Sequence, residues 1–212
     1  GLKDARCSGE CAAGYICPER SVLPDHRPCG NISFFCPGGT SSRNRVSLGH
    51  YTIGGDNYTR HAQALCQNGF FCIDGIRRKC AAGKYGNETG LHESNCSGTC
   101  PPGFYCPENS NQPTPCPAGR YGGDMGLKTM ECSGKCAKGH WCPEKSVSPF
   151  ERKCLPGSFG DVEGLKTIEC NPACTHAGEP CSAKSLCTPG YYCPENSTSS
   201  RMFPCGSEDL YC

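Results

Sequence analysis

The sequence predicts a linear, elongated array of small disulfide-rich modules made of short β-hairpins, with little or no helix. Three observations predict it. Cysteine supplies 23 of the 212 residues, above the roughly 8–10% that marks a disulfide scaffold. The cysteines form a repeating ladder: Cys, fifteen residues, Cys, three residues, Cys, five residues, Cys. It is clearest at Cys80, Cys96, Cys100, Cys106 and again at Cys116, Cys132, Cys136, Cys142. Finally, 28 Gly and 18 Pro favour turns and short extended pieces over helix. A unit of fewer than about 40 residues rarely folds without covalent staples.

Taken in order, residues 1–28 form a partial repeat, and 29–79 a repeat with a long insertion at 37–65. Residues 80–115 and 116–153 are two regular repeats, 154–204 a repeat with an extra loop at 174–181, and 205–212 a further partial repeat. More than cysteines recur. Gly-Leu-x4-Cys runs from Gly1, Gly90, Gly126 and Gly164, and Cys-Ser-Gly-x-Cys from Cys7, Cys96 and Cys132. Gly, an aromatic or near-aromatic pair, Cys and Pro-Glu follow, as in Gly14-Tyr15-Ile16-Cys17, Gly103-Phe104-Tyr105-Cys106 and Gly190-Tyr191-Tyr192-Cys193. A period of this size means a stacked array, in which such aromatics pack each module onto its neighbour.

The insertion carries Gly49-His50-Tyr51-Thr52-Ile53-Gly54-Gly55, which reads as a hairpin with a Gly-Gly turn. The second insertion, around Thr175-His176-Ala177, lies between Cys174 and Cys181 and reads as a self-closed loop. Insertions of this kind emerge as loops and are the candidate contact sites; the residues singled out are His50, Tyr51, Thr52 and His176. Above the short period, Cys11, Cys17, Cys29 and Cys36 match Cys187, Cys193, Cys205 and Cys212 at one offset. Either a block of modules is duplicated, or two modules of one subtype fall in this chain. The chain opens and closes within repeats, with no secretory leader in view, and is expected to be a window on a longer protein.

Spacing alone leaves the cysteine pairing open. The crossed scheme gives Cys80–Cys100 with Cys96–Cys106, Cys116–Cys136 with Cys132–Cys142, and Cys154–Cys187 with Cys170–Cys193, leaving Cys174–Cys181 as the inserted loop. It is favoured because interlocked rings hold a coreless module more rigidly. The serial scheme joins first to second and third to fourth, and satisfies every cysteine except Cys7.

Chemistry is sparse. Structural zinc favours Cys-x2-Cys pairs, and this sequence has none; the histidines (His26, His50, His61, His92, His140, His176) are scattered. Phosphate-loop, calcium-loop and nucleophile-elbow motifs are also missing. No catalytic residue, metal or cofactor is therefore expected, and the chain is not expected to be an enzyme. A net charge of +1 gives no electrostatic case for nucleic acid or an anionic membrane, and no apolar run approaches the roughly 20 residues of a membrane span. Cystines on this scale belong to secreted or cell-surface proteins. Asn-x-Ser/Thr, the N-glycan acceptor, recurs at Asn31, Asn57, Asn87 and Asn196, and at Asn95 with Cys96 in the middle position.

The signature Cys-x2-Gly-x-Tyr-Gly, Gly-Leu, Cys-Ser-Gly-x-Cys-x2-Gly-x-Tyr/Trp-Cys-Pro resembles the ephrin-receptor-like cysteine-rich repeats of extracellular proteins. It is similar, more distantly, to tumour-necrosis-factor-receptor and growth-factor-receptor modules. The resemblance covers nearly the whole chain apart from the two insertions, and implies elongated modules with short two-stranded pieces; the staples define such a family, not a site. The expected function is that of a glycosylated extracellular structural protein, part of a fibre, appendage or wall, whose partners are copies of itself and covalent glycans. The rival expectation is the stalk or ligand-binding ectodomain of a receptor or adhesin.

Overall fold

A computed structural model of the chain describes residues 9–170 and 186–206. Every regular element among them is a β-strand of two or four residues, and each strand pairs with one partner only. The commonest hairpin starts at the Gly-aromatic-aromatic-Cys segment. Tyr15–Ile16 pairs antiparallel with Arg27–Pro28, Phe34–Phe35 with Asn44–Arg45, Phe70–Ile73 with Ile76–Lys79, and Phe104–Tyr105 with Thr114–Pro115. His140–Trp141 pairs with Arg152–Lys153 and Tyr191–Tyr192 with Phe203–Pro204. Aromatic residues suit a pleated, half-buried surface. The prolines at 28, 115 and 204 stand at the ends of their strands, where a missing N–H does least harm. The fold is that of small disulfide-rich modules in succession.

Every cysteine among the described residues is disulfide-bonded, and the pairing is serial. Short rings close at Cys11–Cys17, Cys66–Cys72, Cys100–Cys106, Cys136–Cys142 and Cys187–Cys193, and a similar one at Cys29–Cys36. Long rings close at Cys80–Cys96, Cys116–Cys132 and Cys154–Cys170. This corrects the crossed expectation. Cys80–Cys100, Cys96–Cys106, Cys116–Cys136, Cys132–Cys142, Cys154–Cys187 and Cys170–Cys193 do not form; Cys174–Cys181 lies outside the described residues.

The reason is local geometry. In each long ring the Gly-Leu turn folds the chain back, with Gly90, Gly126 and Gly164 at φ of 75°, 76° and 80°. The second cysteine then sits at positive φ (Cys96 54°, Cys132 51°, Cys170 53°). This left-handed backbone is rare for a residue with a side chain. It leaves Cys80 and Cys96 with Cα atoms 6.0 Å apart, within bridging range.

Successive modules are joined through the backbone. The N–H of Gly69 donates to Gly86 O (2.7 Å), that of Gly103 to Gly122 O (2.7 Å) and that of Gly139 to Gly160 O (2.8 Å). Parallel links run from Cys72, Cys106 and Cys142 N–H to the carbonyls of Leu91, Leu127 and Leu165. Another set runs from Gly90, Gly126 and Gly164 N–H to Cys66 O, Cys100 O and Cys136 O. Within each repeat the residue after Cys-Pro-Glu bonds back to the first cysteine: Asn109, Lys145 and Asn196 donate to Cys80 O, Cys116 O and Cys154 O. These donors and acceptors are main-chain atoms, so the same join recurs wherever Gly and Cys recur.

The interior is made of cystine. Among the described residues the large side chains with less than 2% exposure are cysteines, and Leu165 at 2% is the buried aliphatic beside them, packed with Cys154, Cys170 and Trp141. Rings lie outside this core and are capped by cations. Arg43 sits over Phe34 (4.8 Å), Arg77 over Phe70 (4.8 Å), Lys145 over Phe104 (5.5 Å) and Arg201 over Tyr191 (6.0 Å). Lys145 comes from the following module, so there the aromatic does join neighbours; Arg43 and Arg201 cap rings of their own hairpins.

The described chain forms two compact units. One comprises the chain up to Gly98 together with Glu108–Gln112, the other Thr99–Pro107 together with the chain from Pro113. The hairpin registers Tyr15↔Pro28 and Tyr191↔Pro204 repeat at the 176-residue offset read in the sequence. His140↔Lys153 repeats the same register at a different offset, so a shared register marks a module subtype.

Candidate functional site

The insertion is the largest departure from the repeat, and it folds. His50–Ile53 pairs antiparallel with Ala62–Leu65, which is the hairpin read from the sequence. Its turn is longer than a Gly-Gly pair. Gly54 and Gly55 have φ of 78° and 58°, and Asp56 then closes the loop as an Asx turn. Its Oδ1 accepts from Tyr58 N–H (2.7 Å), Thr59 N–H (2.9 Å) and the Thr59 hydroxyl (2.9 Å). Arg60 clamps the loop from below, donating to Gly54 O (3.3 Å), Gly55 O (3.4 Å) and Asn57 Oδ1 (3.3 Å).

These hydrogen bonds set a charge. The Tyr58 N–H first, then the Thr59 hydroxyl, and behind them the Thr59 N–H and the Arg60 charge, hold the Asp56 carboxyl below its ordinary value. A carboxyl with a depressed folded pKa contributes stability that is present above its unfolded pKa and lost as pH falls through the folded one. The turn is therefore expected to loosen in acid below about pH 4. Amide exchange at Tyr58 and Thr59, corrected for intrinsic rate, should accelerate there, and Asp56→Asn should abolish the pH dependence. Protection that stays flat with pH in the wild-type chain would disprove this role for Asp56.

The structure places the expected contact residues as follows. Thr52 is not available for contact. It is 4% exposed, its hydroxyl donates to Ile32 O (2.7 Å) and its N–H to Gly75 O (3.1 Å). Its short hydroxyl reaches the neighbouring main chain and pins the insertion to it, which corrects the contact expectation. Tyr51 is half-buried beneath the Arg77 guanidinium (4.9 Å). Its hydroxyl oxygen accepts from Gln67 Nε2 (3.1 Å) and Arg77 (3.4 Å). Because Arg77 also covers Phe70, the three side chains join the insertion to the next hairpin. His50 is half-buried, its Nδ1 2.9 Å from Leu48 O. The large apolar side chains of the insertion that face solvent most are Leu48 and Tyr58, 80% and 64% exposed. His176 lies outside the described residues.

Sequence reasoning missed Asp56, Arg60 and Arg77. The first had a signal, since Asp-x-x-Thr after Gly-Gly is an Asx-turn pattern; the two arginines had none, because their partners are main-chain carbonyls and distant rings.

Asn31, Asn57, Asn87 and Asn95 are exposed. Asn95 Oδ1 accepts from Lys84 Nζ (2.8 Å), and the middle residue of its triplet, Cys96, is tied to Cys80. Asn196 is half-buried. A cleft of about 180 Å³ lies between Leu155, Ser158, Ile168 and Leu186, below the roughly 300 Å³ where small-molecule sites begin. Among the described residues no group of three or more His, Cys, Asp or Glu is placed to hold a metal, and no helix is long and apolar enough to cross a membrane.

No family model matches this chain, and comparison with curated proteins finds no match. The resemblance to ephrin-receptor-like repeats rests on the motifs alone.

Proposed function

We propose that this chain is a glycosylated segment of an extracellular structural protein, part of a fibre, appendage or cell-surface assembly, whose partners are other copies of itself. The observation that carries this reading is the join between modules. It uses main-chain donors and acceptors of Gly, Cys and Leu at fixed positions, over an interior of cystines. Such a join does not depend on the identity of exposed side chains, so modules can be added in series while their surfaces vary. Disulfides at every described cysteine are the chemistry of an oxidising, extracellular setting. The repeats are read as ephrin-receptor-like on their motifs, and the activity as non-enzymatic on the missing catalytic patterns in the sequence.

A second reading has one observation in its favour. The exposed Tyr58 stands on an ordered loop clamped by Asp56 and Arg60, and the exposed Leu48 lies at the other end of the same hairpin, as a receptor or adhesin contact surface would require. Electron microscopy of the native material separates the two. Regular fibres formed without any added partner are expected; dispersed monomers that stay so at high concentration would reject the structural reading and turn attention to Leu48 and Tyr58.

A further inference from the structure

We propose that Arg43 and Arg45, set around the Phe34 ring, form a binding site for the carboxylate or sulfate groups of an anionic polysaccharide outside the cell. This goes beyond the structural reading and rests only on the extracellular setting, not on self-assembly. The net charge of +1 conceals an uneven spread. Between His26 and Asn87 stand eight Lys and Arg against two Asp, while the rest of the chain has thirteen against eighteen Asp and Glu. The basic stretch lies within one compact unit.

Half of these cations are already engaged. Lys79 pairs with Glu108 (3.0 Å), and Lys84 donates to Asn95 Oδ1 (2.8 Å). Arg60 is taken up by the carbonyls of its loop, and Arg77 by Tyr51 and Gln67. Arg27, Arg43, Arg45 and Arg78 remain. All four are exposed, and among the described residues none of their guanidinium groups has a hydrogen bond or an ion pair.

Two of the four are brought to one place. The strand register sets Arg45 opposite Phe34, so both side chains leave the same face of the hairpin. Arg43 returns to that face, its guanidinium 4.8 Å over the Phe34 ring. The ring attracts the cation without using its N–H donors, which stay free for a ligand. A Cβ on Gly30 would come within 3.1 Å of Arg43 Nη1, so glycine leaves room for the guanidinium there. Gly30 N–H also donates to Tyr58 O (3.0 Å), which brings the 64% exposed Tyr58 alongside. A guanidinium is a planar fork of donors that matches an oxyanion. One exposed ion pair is worth little in water, whereas a polymer with an anion on successive units engages both arginines at once. The segment that carries them, Pro37-Gly-Gly-Thr-Ser-Ser-Arg-Asn-Arg45, has no aliphatic side chain to form the dry centre of a protein interface.

Binding of the secreted full chain to immobilised dextran sulfate and polygalacturonate tests this, with neutral dextran and polyglutamate as comparison surfaces. At low salt the chain is expected to bind at least one of the two anionic polysaccharides, more tightly than polyglutamate, and to ignore dextran. Added salt should release it by screening the charges. Arg43→Gln with Arg45→Gln should weaken the binding about tenfold or more, since two charge-assisted contacts are lost. Lys128→Gln with Lys138→Gln removes the same charge from exposed positions in the other unit and should change it little. No binding to either polysaccharide, or equal losses in the two double variants, would overturn the inference. Polyglutamate held as tightly as the polysaccharides would also overturn it, in favour of an acidic protein partner. Fibres that assemble from a chain without this affinity would leave the structural reading standing.

Discussion

Replacing Cys116 and Cys132 together by serine is expected to cost the module about 3 kcal/mol, because their bond closes a ring with a sequence separation of 16. The short ring Cys136–Cys142 has a separation of 6 and should cost less, about 2 kcal/mol on the same chain-entropy reasoning. In a cystine-built interior no aliphatic core compensates, so either loss is a large part of local stability. The pattern of additivity is more telling than the size. Once Cys116→Ser has broken the bond, Cys132→Ser should add little, whereas Cys116→Ser and Cys136→Ser should sum, since they break separate bonds. Local opening energies from hydrogen exchange report this module by module. Summation within the 116/132 pair, with coupling between 116 and 136, would restore the crossed scheme.

The second large effect concerns the glycine on which the following module sits. Gly103→Ala would put a Cβ 2.6 Å from Lys145 O at a φ of 81°. That is a main-chain clash added to left-handed strain, and a cost of about 3–4 kcal/mol is expected. Gly190 occupies the same place in its own hairpin at a φ of 85°, with nothing among the described residues within 4 Å of its Cβ position. Gly190→Ala should show the backbone strain alone, about 1–2 kcal/mol. Equal costs at the two positions would mean that the glycine serves only the turn and not the seam between modules.

The hairpins were legible because Gly-aromatic-aromatic-Cys joins a turn former to β-favouring residues, and the same text repeats from Gly14 to Gly190. The insertion hairpin at His50–Ile53 was legible from its Gly54-Gly55 turn. The pairing was not. Both schemes use the same spacings, and what separates them is the left-handed backbone of Cys96, Cys132 and Cys170, which no residue type announces. The contact residues failed at Thr52 because alternation along a strand does not tell which face the adjoining hairpin covers; here Ile32 O covers it. Likewise the sequence marks Asn196 and Asn57 as equal acceptors. In the structure Asn57 is exposed and Asn196 half-buried.

Serial stapling underlies the account, since it confines every described ring to one stretch of chain and leaves the joins to the backbone. Tryptic peptide mapping without reduction tests it at the 116–153 repeat, where Lys135 and Lys138 separate the relevant cysteines. The account predicts that the peptide 129–135, carrying Cys132, is linked to the peptide carrying Cys116. It also predicts that 136–138, carrying Cys136, is linked to 139–145, carrying Cys142. Linkage of 129–135 to 139–145, with 136–138 on the Cys116 peptide, would contradict it.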